Sequence, residues 1–204
     1  MIRRALGLVL LVLQLGCAAT RGADPADLPE LWRGWCGSGA ALRQRYDFTV
    51  DADGRRFDAE GFIVLDPQAE TLDAVLLSPL GIKLATLRVT PDAVRSLQDP
   101  SPLPERLILP LGLALRRGLL LAWPCLPNGT AGAEAERDAL AHGIGVVRGH
   151  GEMTLRAFRK GAAWSVTAKR QPCRWDAALA LTVRDELSRF VLTLTPTEVG
   201  DDDE

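Results

Sequence analysis

The chain has 204 residues, of which 47% are hydrophobic and 25% charged. That is a globular composition, long enough for one ordinary domain whose core needs no disulfide. A net charge of −2 and only 5% aromatic residues exclude a nucleic-acid binder that relies on positive field or base stacking.

The chain opens as an export signal. Met1-Ile2-Arg3-Arg4 is a basic start, and Ala5 to Leu15 is an uncharged apolar run. A bilayer core needs about 20 apolar residues, so the run matches a signal-peptide core rather than a span. Leu13-Gln14-Leu15-Gly16-Cys17 resembles a bacterial lipobox. Cys17 is therefore the expected lipidation site, with an ordinary signal cleaved after Ala19 or a retained anchor as alternatives. The expected organisation is a signal peptide at 1–16 and a lipidated Ala-, Gly-, Asp- and Pro-containing tether at 17–30. A folded domain follows at 31–199, then an acidic tail at 200–204. Export implies an oxidising compartment. Lipidation of Cys17 leaves Cys36, Cys125 and Cys173, an odd number without zinc-ligand spacing. The sequence selects no pairing among them, and neither a metal nor a cofactor is expected.

Residues 28–41, with Trp32 and Trp35, read as a short helix or a loop. From Arg43 the pattern alternates, with Tyr46, Phe48 and Val50 on one face of a strand. Asp51-Ala52-Asp53-Gly54 predicts a hairpin turn, Phe57 to Leu65 the returning strand, and Asp66-Pro67-Gln68 its end. Thr71 to Leu77 and Ile82 to Thr90 predict two further strands, joined by the turn Ser78-Pro79-Leu80-Gly81. Short strands at this spacing suggest an antiparallel meander. Leucine-dense residues 103–123, interrupted by Pro104 and Pro110 and carrying Arg116-Arg117, predict one or two helices packed on the sheet rather than a membrane span. A loop and a short helix follow over 128–141. Residues 143–151 read as a glycine-rich loop, without the strand and helix context of a dinucleotide site. Strands resume at 152–158, 164–169, 179–183 and 190–195, with turns at Gly161-Ala162 and Arg184-Asp185-Glu186.

Candidate chemistry is sparse. His142 and His150 sit among glycines and read as loop residues, and Ser38 lies in Gly37-Ser38-Gly39 without a nucleophile elbow. The sequence points to no enzyme. The most informative segment is the turn carrying Leu80. Leaving a leucine in water costs about 1.5–3 kcal/mol relative to burial. Leu80 is therefore either covered by the neighbouring helix or inserted into something apolar.

Three features in order carry a family resemblance: the export signal with Cys17, the strand–turn–strand around Ser78-Pro79-Leu80-Gly81, and Pro102-Leu103-Pro104 leading into the leucine-rich stretch that ends at Trp123-Pro124. Over roughly residues 40–125 the chain resembles the LolA/LolB-like lipoprotein carriers, on the LolB side. The resemblance implies a mainly β, α+β fold: a strongly curved antiparallel sheet, or half-barrel, with helices covering its open side. It implies a lipoprotein anchored in the outer membrane, facing the periplasm, that binds a lipid or an acylated lipoprotein and works with a periplasmic carrier protein. Leu80 takes the role of a protruding membrane-contact leucine, and Phe48, Phe62, Leu76, Leu84, Leu87 and Leu111 become cavity-lining candidates. The alternative is a structural or assembly lipoprotein that uses the same fold to bind a protein partner and has no lipid cavity.

Overall fold

The computed structural model describes residues 41–66, 68–98, 100–121, 129–141, 143–149, 152–157, 164–169 and 180–197. The expected export signal and tether, Cys17, Ser38, Cys36, Cys125, Cys173, His142, His150 and the acidic tail lie outside them.

Ten antiparallel strands form one unclosed sheet in the order β5-β4-β3-β2-β1-β10-β9-β8-β7-β6. They are β1 (Leu42–Ala52), β2 (Arg55–Asp66), β3 (Thr71–Leu77), β4 (Lys83–Val89), β5 (Val94–Ser96), β6 (Ile144–Arg148), β7 (Glu152–Ala157), β8 (Trp164–Lys169), β9 (Leu181–Asp185) and β10 (Phe190–Pro196). Between β5 and β6 come α1 (Glu105–Leu115), a π-helical segment (Arg116–Leu121) and α2 (Gly129–Ala141). The sheet is thus two meanders, β1–β5 and β6–β10, joined where β1 pairs with β10, from Tyr46 opposite Pro196 to Ala52 opposite Phe190.

The period of two sets one buried face. Tyr46, Phe48 and Val50 of β1, Leu72, Ala74 and Leu76 of β3, and Phe190, Leu192 and Leu194 of β10 all point into one core. The other face is more exposed and mixes charged pairs with apolar residues such as Phe62 and Val64. There Arg88 makes two hydrogen bonds, 2.7 and 2.8 Å, to the Asp73 carboxylate directly across from it, and Arg45 pairs with Glu60. A sheet with one wet face is the ordinary outcome for antiparallel hairpins.

Helix α1 fills the buried side. Ile108, Leu111, Gly112 and Leu115 recur at helical spacing; Leu111, Gly112 and Leu115 are buried and Ile108 packs against the core. Gly112 is required by proximity, since a Cβ there would lie 2.2 Å from Cγ1 of Val94 on β5. The contacts of α1 also reveal the curvature. It touches β4 and β5 and, on its other side, β9 and β10. Strands β4 and β9 are five spacings apart in the sheet, about 24 Å if it were flat. An eleven-residue helix is only about 16 Å long. The sheet therefore wraps around the helix.

The first four strands agree with the sequence pattern, and Asp53-Gly54 forms the expected two-residue turn. Both residues have positive φ, 50° and 74°, as a type I′ turn requires. Two strands were not foreseen. Strand β5 has three residues, too few to show a period, and β6 occupies the glycine-rich stretch read as a loop. Arg184 and Asp185, expected in a turn, end β9 instead.

Candidate functional site

One rim of the sheet gathers three hairpin turns: Asp53-Gly54, residues 78–82 and residues 186–189. Three large apolar side chains are exposed there, Leu80 (87%), Ile82 (59%) and Leu187 (64%). Helix α1 does not cover Leu80. The turn beneath it is tied down: the Ser78 hydroxyl accepts hydrogen bonds from the Leu80 and Ile82 N–H groups at 3.3 and 3.1 Å. The Ser78 carbonyl accepts the Gly81 N–H at 2.8 Å, and the Ser78 N–H donates to the Ile82 carbonyl at 2.8 Å. A network this local holds the backbone and leaves the leucine in water.

Beside that turn lies a cleft of about 410 Å³, within the roughly 300–1,000 Å³ of small-molecule sites. Its origin is a mismatch in strand length. Strand β3 ends at Leu77 opposite Glu60, so the first residues of β2, Arg55 to Ala59, overhang it. The segment Pro102–Leu107 closes part of the gap. It is pinned by the Leu84 carbonyl, which accepts the Ser101 hydroxyl at 3.0 Å and the Leu103 N–H at 3.1 Å. The apolar wall comprises Ala52, Phe57, Leu84, Pro102, Leu103, Pro104 and Leu107. Arg55, Arg56, Arg106, Asp53 and Asp58 form the charged part. Thr49 donates a 2.8 Å hydrogen bond to Asp58. That bond, aided by Arg56, outweighs desolvation and holds the Asp58 carboxyl below its ordinary value.

The expected cavity residues separate into three groups. Phe48, Leu76, Leu87 and Leu111 are fully buried and pack with one another's neighbours in the core beneath α1; none lines the cleft. Leu84 does. By parity it belongs opposite Leu87, but the pairing of β3 and β4 shifts between Leu76 and Leu77, and this bulge turns Leu84 toward the core side. Phe62 is a correction. It is 50% exposed and sits opposite Arg45 and Val75 on the outer face, because Gly61 and Ile63 take the inner positions of β2.

Sequence reasoning missed Phe57, Leu107 and the three arginines, since the overhang that assembles them is a property of strand pairing. It also missed a second charged feature. Arg117, in the π-helical segment, pairs with Asp185, with side chains only 11% and 15% exposed. The Arg117 guanidinium lies 5.6 Å from the Trp164 ring centre, in cation–π range. Asp185 also accepts the Leu187 and Ser188 N–H groups at 3.0 and 3.1 Å. Burial works to raise its carboxyl, but the Arg117 hydrogen bond and these N–H groups outweigh it and hold the group below its ordinary value. The Arg116-Arg117 dipeptide inside a leucine-rich run was the available signal. Neighbouring Arg116 is buried and donates to the Pro91 carbonyl at 2.8 Å.

Among the described residues no cluster of three or more His, Cys, Asp or Glu is placed to hold a metal ion. Nor is any helix among them long and apolar enough to cross a membrane.

No family model matches the chain, and no curated protein does. Solved structures similar to it include a LolA superfamily protein from Nitrosomonas europaea, at 9% identity and a TM-score of 0.36, covering 86% of this chain and 91% of that one. Another is a DUF1329 family protein from Desulfovibrio piger, at 9% identity and a TM-score of 0.25, covering 88% and 92%. Likeness at this level assigns neither function nor ligand.

Proposed function

We propose that the chain is a lipoprotein anchored through Cys17 to the outer membrane, facing the periplasm. It binds an acylated ligand at the rim cleft and passes it to the membrane. The reading involves no covalent chemistry and needs no cofactor. One observation carries it: a leucine held in water by a rigid turn stands on the same rim as an apolar cleft. Strand β4 links the two, with Leu80 in the turn before it and Leu84 in the cleft wall. Contact with a bilayer would bury Leu80 and bring the mouth of the cleft to the lipid. The resemblance to the LolA/LolB-like carriers supports the same reading, and a periplasmic carrier would be the donor.

The test is transfer of a fluorescent diacyl lipopeptide from the protein to phospholipid vesicles. Burying one leucine contributes about 1.5–3 kcal/mol, and about 1.4 kcal/mol is tenfold in rate. Leu80→Glu is therefore expected to slow transfer at least about tenfold while leaving circular dichroism and thermal unfolding unchanged. Equal transfer by both proteins would refute the role.

A second reading is favoured by a different observation. The space beneath α1 is packed by Phe48, Leu76, Leu87 and Leu111 rather than open. This suits a structural or assembly lipoprotein whose rim binds a protein partner. Failure to bind any lipopeptide, with the fold intact, would favour it.

A further inference from the structure

We propose that the rim cleft is selective for an acyl amphiphile whose head carries one negative charge, as a carboxylate does, held by Arg55 and Arg106. The inference deepens the carrier reading and rests on it, because it names the ligand class of the same cleft.

Arg55, Arg56 and Arg106 all line the cleft with exposed side chains. Arg56 is committed, pairing with Asp58 at 3.3 Å. Among the described residues, Arg55 and Arg106 have no acidic group within ion-pair distance. Three guanidiniums against the carboxylates of Asp53 and Asp58 leave one net positive charge in the lining. A monoanion neutralises that, whereas a dianionic phosphate monoester would leave an excess negative charge facing Asp53 and Asp58.

The placement agrees with the charge. Arg55 stands at the overhanging start of β2 and Arg106 in the first turn of α1, and both line the cleft. Phe57, Leu84, Leu103 and Leu107 line the same cleft and contribute apolar surface and no charge. An acyl chain on that apolar surface would have its head in a lining that also carries the two arginines. A guanidinium presents a planar fork of donors that matches a carboxylate. A neutral ester of the same chain would keep the apolar contacts and lose the head contacts.

The experiment measures binding of laurate, methyl laurate and dodecyl phosphate to the full chain by calorimetry at low and moderate salt. The same titrations are made with the double variant Arg55→Glu/Arg106→Glu. Each exposed charge pair contributes modestly, so laurate is expected to bind about tenfold tighter than methyl laurate and tighter than dodecyl phosphate. Salt should reduce that preference. The double variant, altered only at exposed positions, should lose the preference while still binding the ester. Equal affinity for laurate and ester, or a preference that survives in the double variant, would overturn the head-group inference and leave the carrier reading standing. Tighter binding of the phosphate would overturn the monoanion assignment. Binding of none of the three, while the lipopeptide still binds, would refute this inference alone; if the lipopeptide also fails, both readings fall.

Discussion

Removing the charge of Asp185 tests how the π-helical segment is held against the sheet. Asp185→Asn keeps an oxygen for the Leu187 and Ser188 N–H groups and removes only the countercharge of Arg117. Breaking a buried pair by losing one partner costs about 3–5 kcal/mol. These side chains retain 11% and 15% of their exposure, so the lower end, about 3 kcal/mol, is expected. In a protein of this size 1 kcal/mol moves the Tm by roughly 2–4 °C, which gives a fall of about 6–12 °C. Thermal and urea unfolding would be compared for the unmodified chain, Asp185→Asn, Arg117→Met and the double variant. The double variant should be less destabilised than the sum of the singles, because it leaves no buried charge unpaired. The effect has a pH signature. The folded-state carboxyl lies below its ordinary value of 3.8, so its contribution is fully present above about pH 5. It declines as pH falls and vanishes once the folded carboxyl is protonated. The difference between the unmodified chain and Asp185→Asn should therefore narrow below about pH 4. A loss under about 0.5 kcal/mol at pH 7, or strictly additive singles, would refute the reasoning.

Further substitutions probe three separate features. Gly112→Ala places a methyl 2.2 Å from Val94 Cγ1 and should cost about 1–3 kcal/mol as overpacking, partly recovered by Val94→Ala in urea unfolding. Phe48→Ala should cost about 3–5 kcal/mol, whereas Phe62→Ser on the outer face should cost under about 1 kcal/mol; similar losses would contradict the assignment of faces. Ser78→Ala removes the acceptor of two turn N–H groups and should cost about 0.5–1.5 kcal/mol, with faster hydrogen exchange at Leu80 and Ile82 as the direct readout.

What could be read from sequence follows from how local each signal is. Strands β1 to β4 alternate over seven or more residues and are punctuated by Asp-Gly and Ser-Pro-Leu-Gly turns, so pattern and turn chemistry agree. Strand β6 fails that test because Gly145 breaks its apolar run while Gly143, Gly149 and Gly151 dominate its surroundings. The face of Phe62 was ambiguous for a related reason. Phe62 and Val64 are as apolar as Ile63 and Leu65, and the inner position at 61 is a glycine, so hydrophobicity could not select the parity. The direction of Leu84 depends on a bulge, which exists only in the pairing of two strands. The cleft is less readable still. It joins residues 52–58 to Leu84 and residues 102–107, and its shape comes from the overhang of β2 past β3. The turn at Leu80 was readable, but its exposure was not: the residues alone left cover by the neighbouring helix open, and only the family resemblance implied protrusion.

The junction of β1 with β10 has a consequence for how the chain is made. Of the described strands, β1 leaves the ribosome first and β10 last, and their paired residues are about 150 positions apart, as Tyr46 and Pro196 are. Each meander can zip up from its own hairpins, but the first half must wait with one long margin unpaired until translation is nearly complete. That margin carries Tyr46, Phe48 and Val50 on its inner face, a template on which two nascent copies could anneal. The chain as a whole is bound by this delay. It cannot lock into its final shape before its last strand arrives, so the complete sheet forms only when synthesis is nearly over.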